Sequence, residues 1–263
     1  MIPKKIHYCW FGGNPLPDSA KMCIESWHKF CPDYEIIEWN ESNFDINCCD
    51  YASEAYAAKK WAFVSDVARL HALVTQGGVY MDTDVEVIRP LDHLLQHEAF
   101  ACFERENAIA TCLMACQTGH SLFREVLQMY NSLHFLKSDG TNDQTTNVVR
   151  ITSYCTKHGL KLNGSQQTVA GLTIFPSDYF SPFDYETGKM HQSSNTYSIH
   201  WFDATWYEPA DQYGKQLKWK LNKFMPAKMA YNVSKFIAIT KYHGLGETFK
   251  RAAKKVMNVG VWK

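Results

Sequence analysis

Gln76-Gly77-Gly78-Val79-Tyr80-Met81-Asp82-Thr83-Asp84 constrains this chain more than any other stretch. A glycine pair ends a helix, three apolar β-formers make a core strand, and two carboxylates follow at i, i+2. Ligands of α/β sheets gather at the edge where a parallel strand opens into a loop. Two hard oxygen ligands suit Mg²⁺ or Mn²⁺, and an ion left partly open can grip the oxygens of a diphosphate. An isolated Asp-x-Asp more often caps a turn, so the flanking segments decide what this one does.

Those segments read as alternating strands and helices. Residues 5–11 form a β run that ends at Gly12-Gly13, a helix is expected over about 19–30, and a strand over 34–39. Strand, glycine loop and helix open many nucleotide-binding α/β folds. One long helix is expected from about 53 to 76, with Asp66 and Arg69 at i, i+3 on one face. Further strands are expected at 85–89, 99–103, 109–114, 172–176 and 197–201, and helices at about 121–131 and 142–157. Residues 177–194 read as an irregular loop.

With 263 residues and 46% hydrophobic content, the chain can bury a full α/β core. The N-terminus lacks the apolar run of a signal peptide, and no stretch approaches a membrane span, so cytoplasmic residence is expected. Nine cysteines without a C-x-x-C pair read as reduced thiols, with adjacent Cys48-Cys49 as a lesser redox or metal candidate. The zero net charge conceals a division. Residues 215–263 hold twelve Lys/Arg and one acid, Glu247, whereas residues 1–214 hold fifteen basic and twenty-six acidic side chains.

Four features together carry a resemblance: Ile6-His7-Tyr8-Cys9-Trp10-Phe11-Gly12-Gly13, Ser65-Asp66-Val67-Ala68-Arg69, Gly77 through Asp84, and His200-Trp201-Phe202-Asp203-Ala204-Thr205-Trp206. Their order and spacing resemble glycosyltransferase family 32, the D-x-D transferases common in capsular and exopolysaccharide synthesis. More distantly they resemble the glucosyltransferase domains of large glucosylating bacterial toxins. The resemblance covers residues 1–90 and reaches 200–206 by motif. It implies an α/β GT-A fold, a Rossmann-like mixed sheet flanked by helices; the charge division sets that domain at 1–214, with a basic helical extension over 215–263. The resemblance also implies metal-dependent, retaining transfer of a hexose from a nucleotide sugar, UDP-linked, to a saccharide acceptor.

The resemblance assigns roles by position. Trp10 stacks on the nucleobase; its competing reading is a core tryptophan. Asp66 and Arg69 hold donor hydroxyls, where a plain i, i+3 helix ion pair is the alternative. Asp82 reaches the ribose or sugar and touches the metal through water, and Asp84 binds Mn²⁺ or Mg²⁺ directly. Tyr80 shares the Asp82 side of its strand and can line the donor pocket. His200 fits a late metal-side position and Trp206 a contact to the β-phosphate, each competing with simple core packing. The second half departs from the pattern: Gly140-Thr141-Asn142-Asp143-Gln144-Thr145 lacks the family's proline, and Asn142 and Asp143 are the candidates to face the reacting carbon.

Two other functional classes compete. A non-catalytic nucleotide-sugar or carbohydrate-binding module can use the same fold, and D-x-D also serves phosphoryl transfer, although no P-loop is present. No nucleic-acid-binding module is recognisable. In residues 215–263, Leu217, Trp219, Phe224, Met229 and Phe236 are interleaved with lysines. Such a segment either meets the inner face of a plasma membrane, where a lipid-linked acceptor resides, or packs on the protein or a partner.

Overall fold

The computed structural model describes residues 1–203 and 209–259. In chain order β1 (Lys5–Cys9), α1 (Asp18–Phe30), β2 (Glu35–Trp39), α2 (Asp50–Ala57), α3 (Trp61–Gln76) and β3 (Gly78–Met81) build the half that carries the acidic motif. β1 lies parallel to both β2 and β3, with Ile6 opposite Ile36 on one side and Val79 on the other. The helix-to-strand turn between α3 and β3 has no spare residue. Gly77 and Gly78 both take positive φ, and a Cβ on Gly78 would stand 2.8 Å from the Lys5 carbonyl oxygen.

Then follow β4 (Val85–Val87), β5 (Ala99–Arg105), β6 (Ala108–Ile109), β7 (Leu113–Cys116), α4 (Ser121–Met129), α5 (Asn147–Lys157), β8 (Gln167–Val169) and β9 (Leu172–Phe175). The central sheet runs β2-β1-β3-β7-β5-β9-β8, with β6 paired to β5. β7 is antiparallel to β3 and β5, while β9 is parallel to β5. This is a mixed, Rossmann-like sheet flanked by helices. Both faces are covered, which is why β3 and β7 are apolar throughout rather than alternating. One apolar cluster holds Tyr51, Leu70, Leu73 and Phe123; the other holds Trp27, Val85, Phe100 and Phe180.

The single helix expected over 53–76 is two helices. Lys59 adopts φ 56, its N–H bonds to the Tyr56 carbonyl, and the Lys60 N–H bonds to that of Ala55. This is a Schellman stop built on a lysine where glycine is the usual signal, so the sequence pattern runs through it. The helix expected from 142 begins at Asn147, because Asp143 Oδ1 accepts from the Thr145 N–H and Oγ1 and holds that stretch in a turn. The strand expected over 109–114 divides into β6 and β7. β8 was not expected: its hairpin turns through Ala170 and Gly171, both at positive φ. All nine cysteines are free, as expected.

The chain forms two compact units. The first comprises Met1–Phe183 and His191–Trp201; the second comprises Asp184–Met190 and Phe202–Lys263. Short strands β10 (Phe183–Asp184) and β11 (Lys189–Met190) pair with each other within the expected loop, and β12 (Ser198–His200) pairs antiparallel with β4. In the second unit α6 (Pro209–Leu221) packs on α7 (Ala227–Val259), which breaks its helical course at Gly244. The boundary expected at 214/215 falls inside α6. The Trp219 indole donates to the Tyr185 carbonyl, and Lys218 pairs with Glu186 at 2.6 Å. No helix of the described residues is long and apolar enough to cross a membrane.

Candidate active site

At the end of β3 the chain turns tightly. Asp82 N–H donates to the Cys112 carbonyl and Val85 N–H to the Asp82 carbonyl, so the acids flank a one-residue turn tip. β12 enters alongside, with His200 opposite Val85 and the Trp201 N–H donating to the Asp84 carbonyl. One ligand atom each from Asp82, Asp84 and His200 lies within 4.8 Å of the others. His200 Nε2 stands 3.3 Å from Asp84 Oδ1. Among the described residues this is the one such convergence of three His, Cys, Asp or Glu side chains. Two carboxylate oxygens and an imidazole nitrogen at this spacing fit an octahedral divalent ion of the Mn²⁺ or Mg²⁺ kind.

Arg69 organises the inner wall. Its Nη1 is 3.2 Å from Asp82 Oδ1 and its Nε 3.6 Å from Asp66 Oδ1. Nη1 also donates to the Thr111 carbonyl, and the guanidinium lies 4.5 Å above the Tyr80 ring centroid. Asp66 and Arg69 are nearly inaccessible, at 5% and 7% exposure, unlike a solvated helix pair. Burial pushes the Asp66 carboxyl up to about 6, against the pull of Arg69. Burial raises the Asp82 carboxyl too, with Arg69 opposing and Asp84 adding to the rise.

Tyr80 and Asp82 share a side of the strand as expected, and the Tyr80 hydroxyl donates to Asp82 Oδ1 at 2.9 Å. Its ring is 1% exposed, however, so it braces Asp82 from the core instead of lining a pocket wall. Trp10 is half-buried: the ring packs against the Trp27 cluster and its indole N–H donates to the Asn14 carbonyl. Asn142 pairs with Leu136 in an isolated bridge. Both Asp143 oxygens are engaged within the protein, Oδ1 by Thr145 and Oδ2 by Arg150 at 2.6 Å. That placement gives Asp143 a supporting position and does not direct its carboxylate at a reacting carbon. Trp206 lies outside the described residues.

Several residues that sequence patterns did not single out complete the arrangement. Asn147 donates its N–H to Asp66 Oδ2 and its Nδ2 to the Asp66 carbonyl, while its Oδ1 accepts from the Tyr130 hydroxyl. Position 147 opens a helix far along the chain, and nothing local marks it. Glu104, near the end of β5, is raised by burial, with His200 and Asp82 acting on it in opposite directions. Beyond β1 a cavity of about 640 Å³ is lined by Gly12, Gly13, Asn14, Glu41, Tyr56, Lys59 and Trp61. Gly12 lies flush on the Trp61 indole, where a Cβ would stand 2.7 Å from the ring, and Glu41 Oε1 accepts from both the Gly12 N–H and the Tyr56 hydroxyl. A glycine loop followed by a helix-start tryptophan was the available signal.

The family described as "Glycosyltransferase sugar-binding region containing DXD motif" matches residues 17–101. Residues 17–101, which include Asp82 and Asp84, are thus similar to a D-x-D sugar-binding region of glycosyltransferases. Inositol phosphoceramide mannosyltransferase 3 of Schizosaccharomyces pombe is 31% identical over 139 residues, covering 48% of this chain and 36% of that protein. Subversion of eukaryotic traffic protein A of Legionella pneumophila is 22% identical over 161 residues, covering 48% of this chain and 24% of that protein. The matched part therefore spans about a third or less of these relatives' own length. Among solved structures, PaToxG glycosyltransferase superposes with a TM-score of 0.44 at 18% identity, covering 59% of this chain and 69% of that one. The galactosyltransferase LgtC superposes with a TM-score of 0.40 at 14% identity, covering 88% and 99%.

Proposed function

We propose that this chain is a metal-dependent, anomer-retaining hexosyltransferase of the family 32 kind. Its donor is a nucleotide sugar, UDP-linked, and its acceptor a lipid-linked saccharide in surface polysaccharide synthesis. The work is done in the cytoplasm at the inner face of the plasma membrane, reached through the basic extension over 215–263. The observation that carries the reading is the convergence of Asp82, Asp84 and His200 beside an Arg69 that bridges Asp66 and Asp82.

A divalent ion held by Asp82, Asp84 and His200 would neutralise charge on a departing diphosphate. The chain's own groups supply position and field. Arg69, fixed by Asp66, Asp82 and the Tyr80 face, keeps a cation at the buried wall where sugar hydroxyls or phosphate oxygens are to be held. Asn147 and Tyr130 keep the Asp66 carboxylate from rotating. The cavity walled by Trp61 and Tyr56 offers flat surface to a nucleoside, next to the half-buried Trp10. Retention then follows from front-face displacement, in which the departing phosphate oxygen takes the acceptor proton and positioning carries the rate.

The test is a panel of UDP- and GDP-linked hexoses, offered with Mn²⁺, with Mg²⁺ and with chelator. Mannosyl donors belong in it because two relatives are named as mannosyltransferases. Metal-dependent hydrolysis or transfer from one donor supports the reading. Donor binding with no turnover in any condition favours the non-catalytic module.

A further inference from the structure

The α6–α7 hairpin packs largely through small residues and leaves large apolar side chains outside. The α7 residues that turn inward are mostly small: Ala230, Ser234 and Ala238 are buried, and a Cβ added to Gly214 of α6 would lie 3.2 Å from that of Ala238. Ile239 is buried with them and Val233 half-buried, but several large apolar groups face away. Met229 is 49% exposed, Phe236 47% and Ile237 38%, while Phe224, in the turn between the helices, is 84% exposed. Met229, Val233, Phe236 and Ile237 stand at i, i+4, i+7 and i+8, which makes one stripe along the helix. A hairpin built for water would place these groups between its helices and leave the small residues outside. Contiguous exposed apolar surface of this kind marks a contact site.

Charge selects the occupant. Lys220, Lys223, Lys228 and Lys235 are exposed on the same hairpin, and residues 215–263 contain a single acid. A second copy would set lysines against lysines across a two-fold contact. An anionic bilayer surface accepts both components at once: the headgroup boundary takes the apolar stripe and the phosphates meet the ammonium groups.

We infer that Phe224, Met229, Phe236 and Ile237, at the turn and along the outer stripe of α7, form the element that enters the headgroup region of an anionic membrane. This rests on the peripheral-membrane reading proposed above and names the surface responsible. The full chain and its Phe224→Ser/Phe236→Ser variant are floated with vesicles of phosphatidylglycerol and phosphatidylcholine, and with phosphatidylcholine alone. Both replaced side chains are exposed, so the variant retains its helicity and melting temperature, checked by circular dichroism. The expected result is salt-sensitive flotation of the full chain with anionic vesicles only, and a loss on the order of 10-fold in partitioning for the variant.

Equal flotation of both proteins overturns this assignment of the surface and leaves membrane association intact. No flotation of the full chain overturns membrane association itself, and this inference with it. A full chain that is dimeric in light scattering and becomes monomeric on substitution, with vesicle binding unchanged, assigns the stripe to a second copy and overturns the inference.

Discussion

The Arg69 guanidinium lies 4.5 Å above the centroid of the Tyr80 ring, so the site's fixed cation rests on an aromatic floor in place of water. Below and beside it the Tyr80 hydroxyl and Arg69 Nη1 both reach Asp82 Oδ1, at 2.9 and 3.2 Å. One oxygen of the candidate metal-binding group is therefore held from two directions before any ligand arrives.

Removing either support should have separable effects. Tyr80→Phe deletes one hydrogen bond, and we expect a stability loss of about 1 kcal/mol with a 10- to 100-fold weaker apparent Mn²⁺ affinity, the usual scale for outer-shell partners. Arg69→Ala leaves Asp66 and Asp82 without their buried partner and should cost about 3–5 kcal/mol. Urea denaturation and metal titration of turnover measure the two. Unchanged metal dependence in Tyr80→Phe would show that its hydroxyl does not orient Asp82.

Asp84→Ala should abolish turnover and metal-dependent UDP binding while the domain remains folded, since Asp84 is partly exposed and its partner His200 lies on the small two-stranded sheet. Calorimetric titration with UDP and Mn²⁺ reports the loss directly. Full activity in this variant would remove Asp84 from the metal site.

Two substitutions around the β1 loop separate stacking from packing. Trp10→Ala should weaken UDP binding by about 1–3 kcal/mol, the range for losing a base–aromatic contact. Gly12→Ala should push the Trp61 indole out of place, because φ 92 and a 2.7 Å approach both oppose a methyl group. If Trp10→Ala lowers the melting temperature while UDP affinity holds, its packing against the Trp27 cluster is its whole role.

His7 gives the protein a defined acid weakness. Its Nδ1 accepts from the Trp39 indole and its Nε2 donates to the Gly77 carbonyl, an arrangement only the neutral ring satisfies. Burial pushes its pKa down to about 4, against the help that the Gly77 bond would give the cation. Above about pH 6.5 the ring is neutral in both states and the stability is intact. As pH falls from there to about 4 the unfolded chain binds a proton that the folded chain refuses, and up to about 3 kcal/mol is lost. Denaturation at about pH 7.5 and about pH 4.5 measures it, and His7→Gln should flatten the difference. An unaltered difference in that variant would assign the acid sensitivity elsewhere.

What could be read along the chain was local. The β1-α1-β2 unit, the glycine-bounded approach to Asp82 and the pairing of Asp66 with Arg69 each depend on residues close in sequence, and each is where periodicity and turn chemistry expected it. The contacts that escaped are long-range or lack their usual residue. Lys59 stops α2 in a conformation normally signalled by glycine, and Asn147 reaches Asp66 across 81 residues of chain. Asp143 carries the residue type of an acid catalyst, but Thr145 and Arg150 consume its oxygens, and no pattern along the chain reveals those partners.

The β12–β4 pairing has a consequence for how the protein is born. Two members of the metal-binding group leave the ribosome early, at the end of β3, and the third arrives only with the strand that closes the small sheet near residue 200. A nascent chain still lacking β12 holds the two acids without their imidazole, so the three-ligand set does not yet exist. Loading with metal would therefore wait until the body of the protein has been synthesised and folded, and partial chains would stay chemically silent.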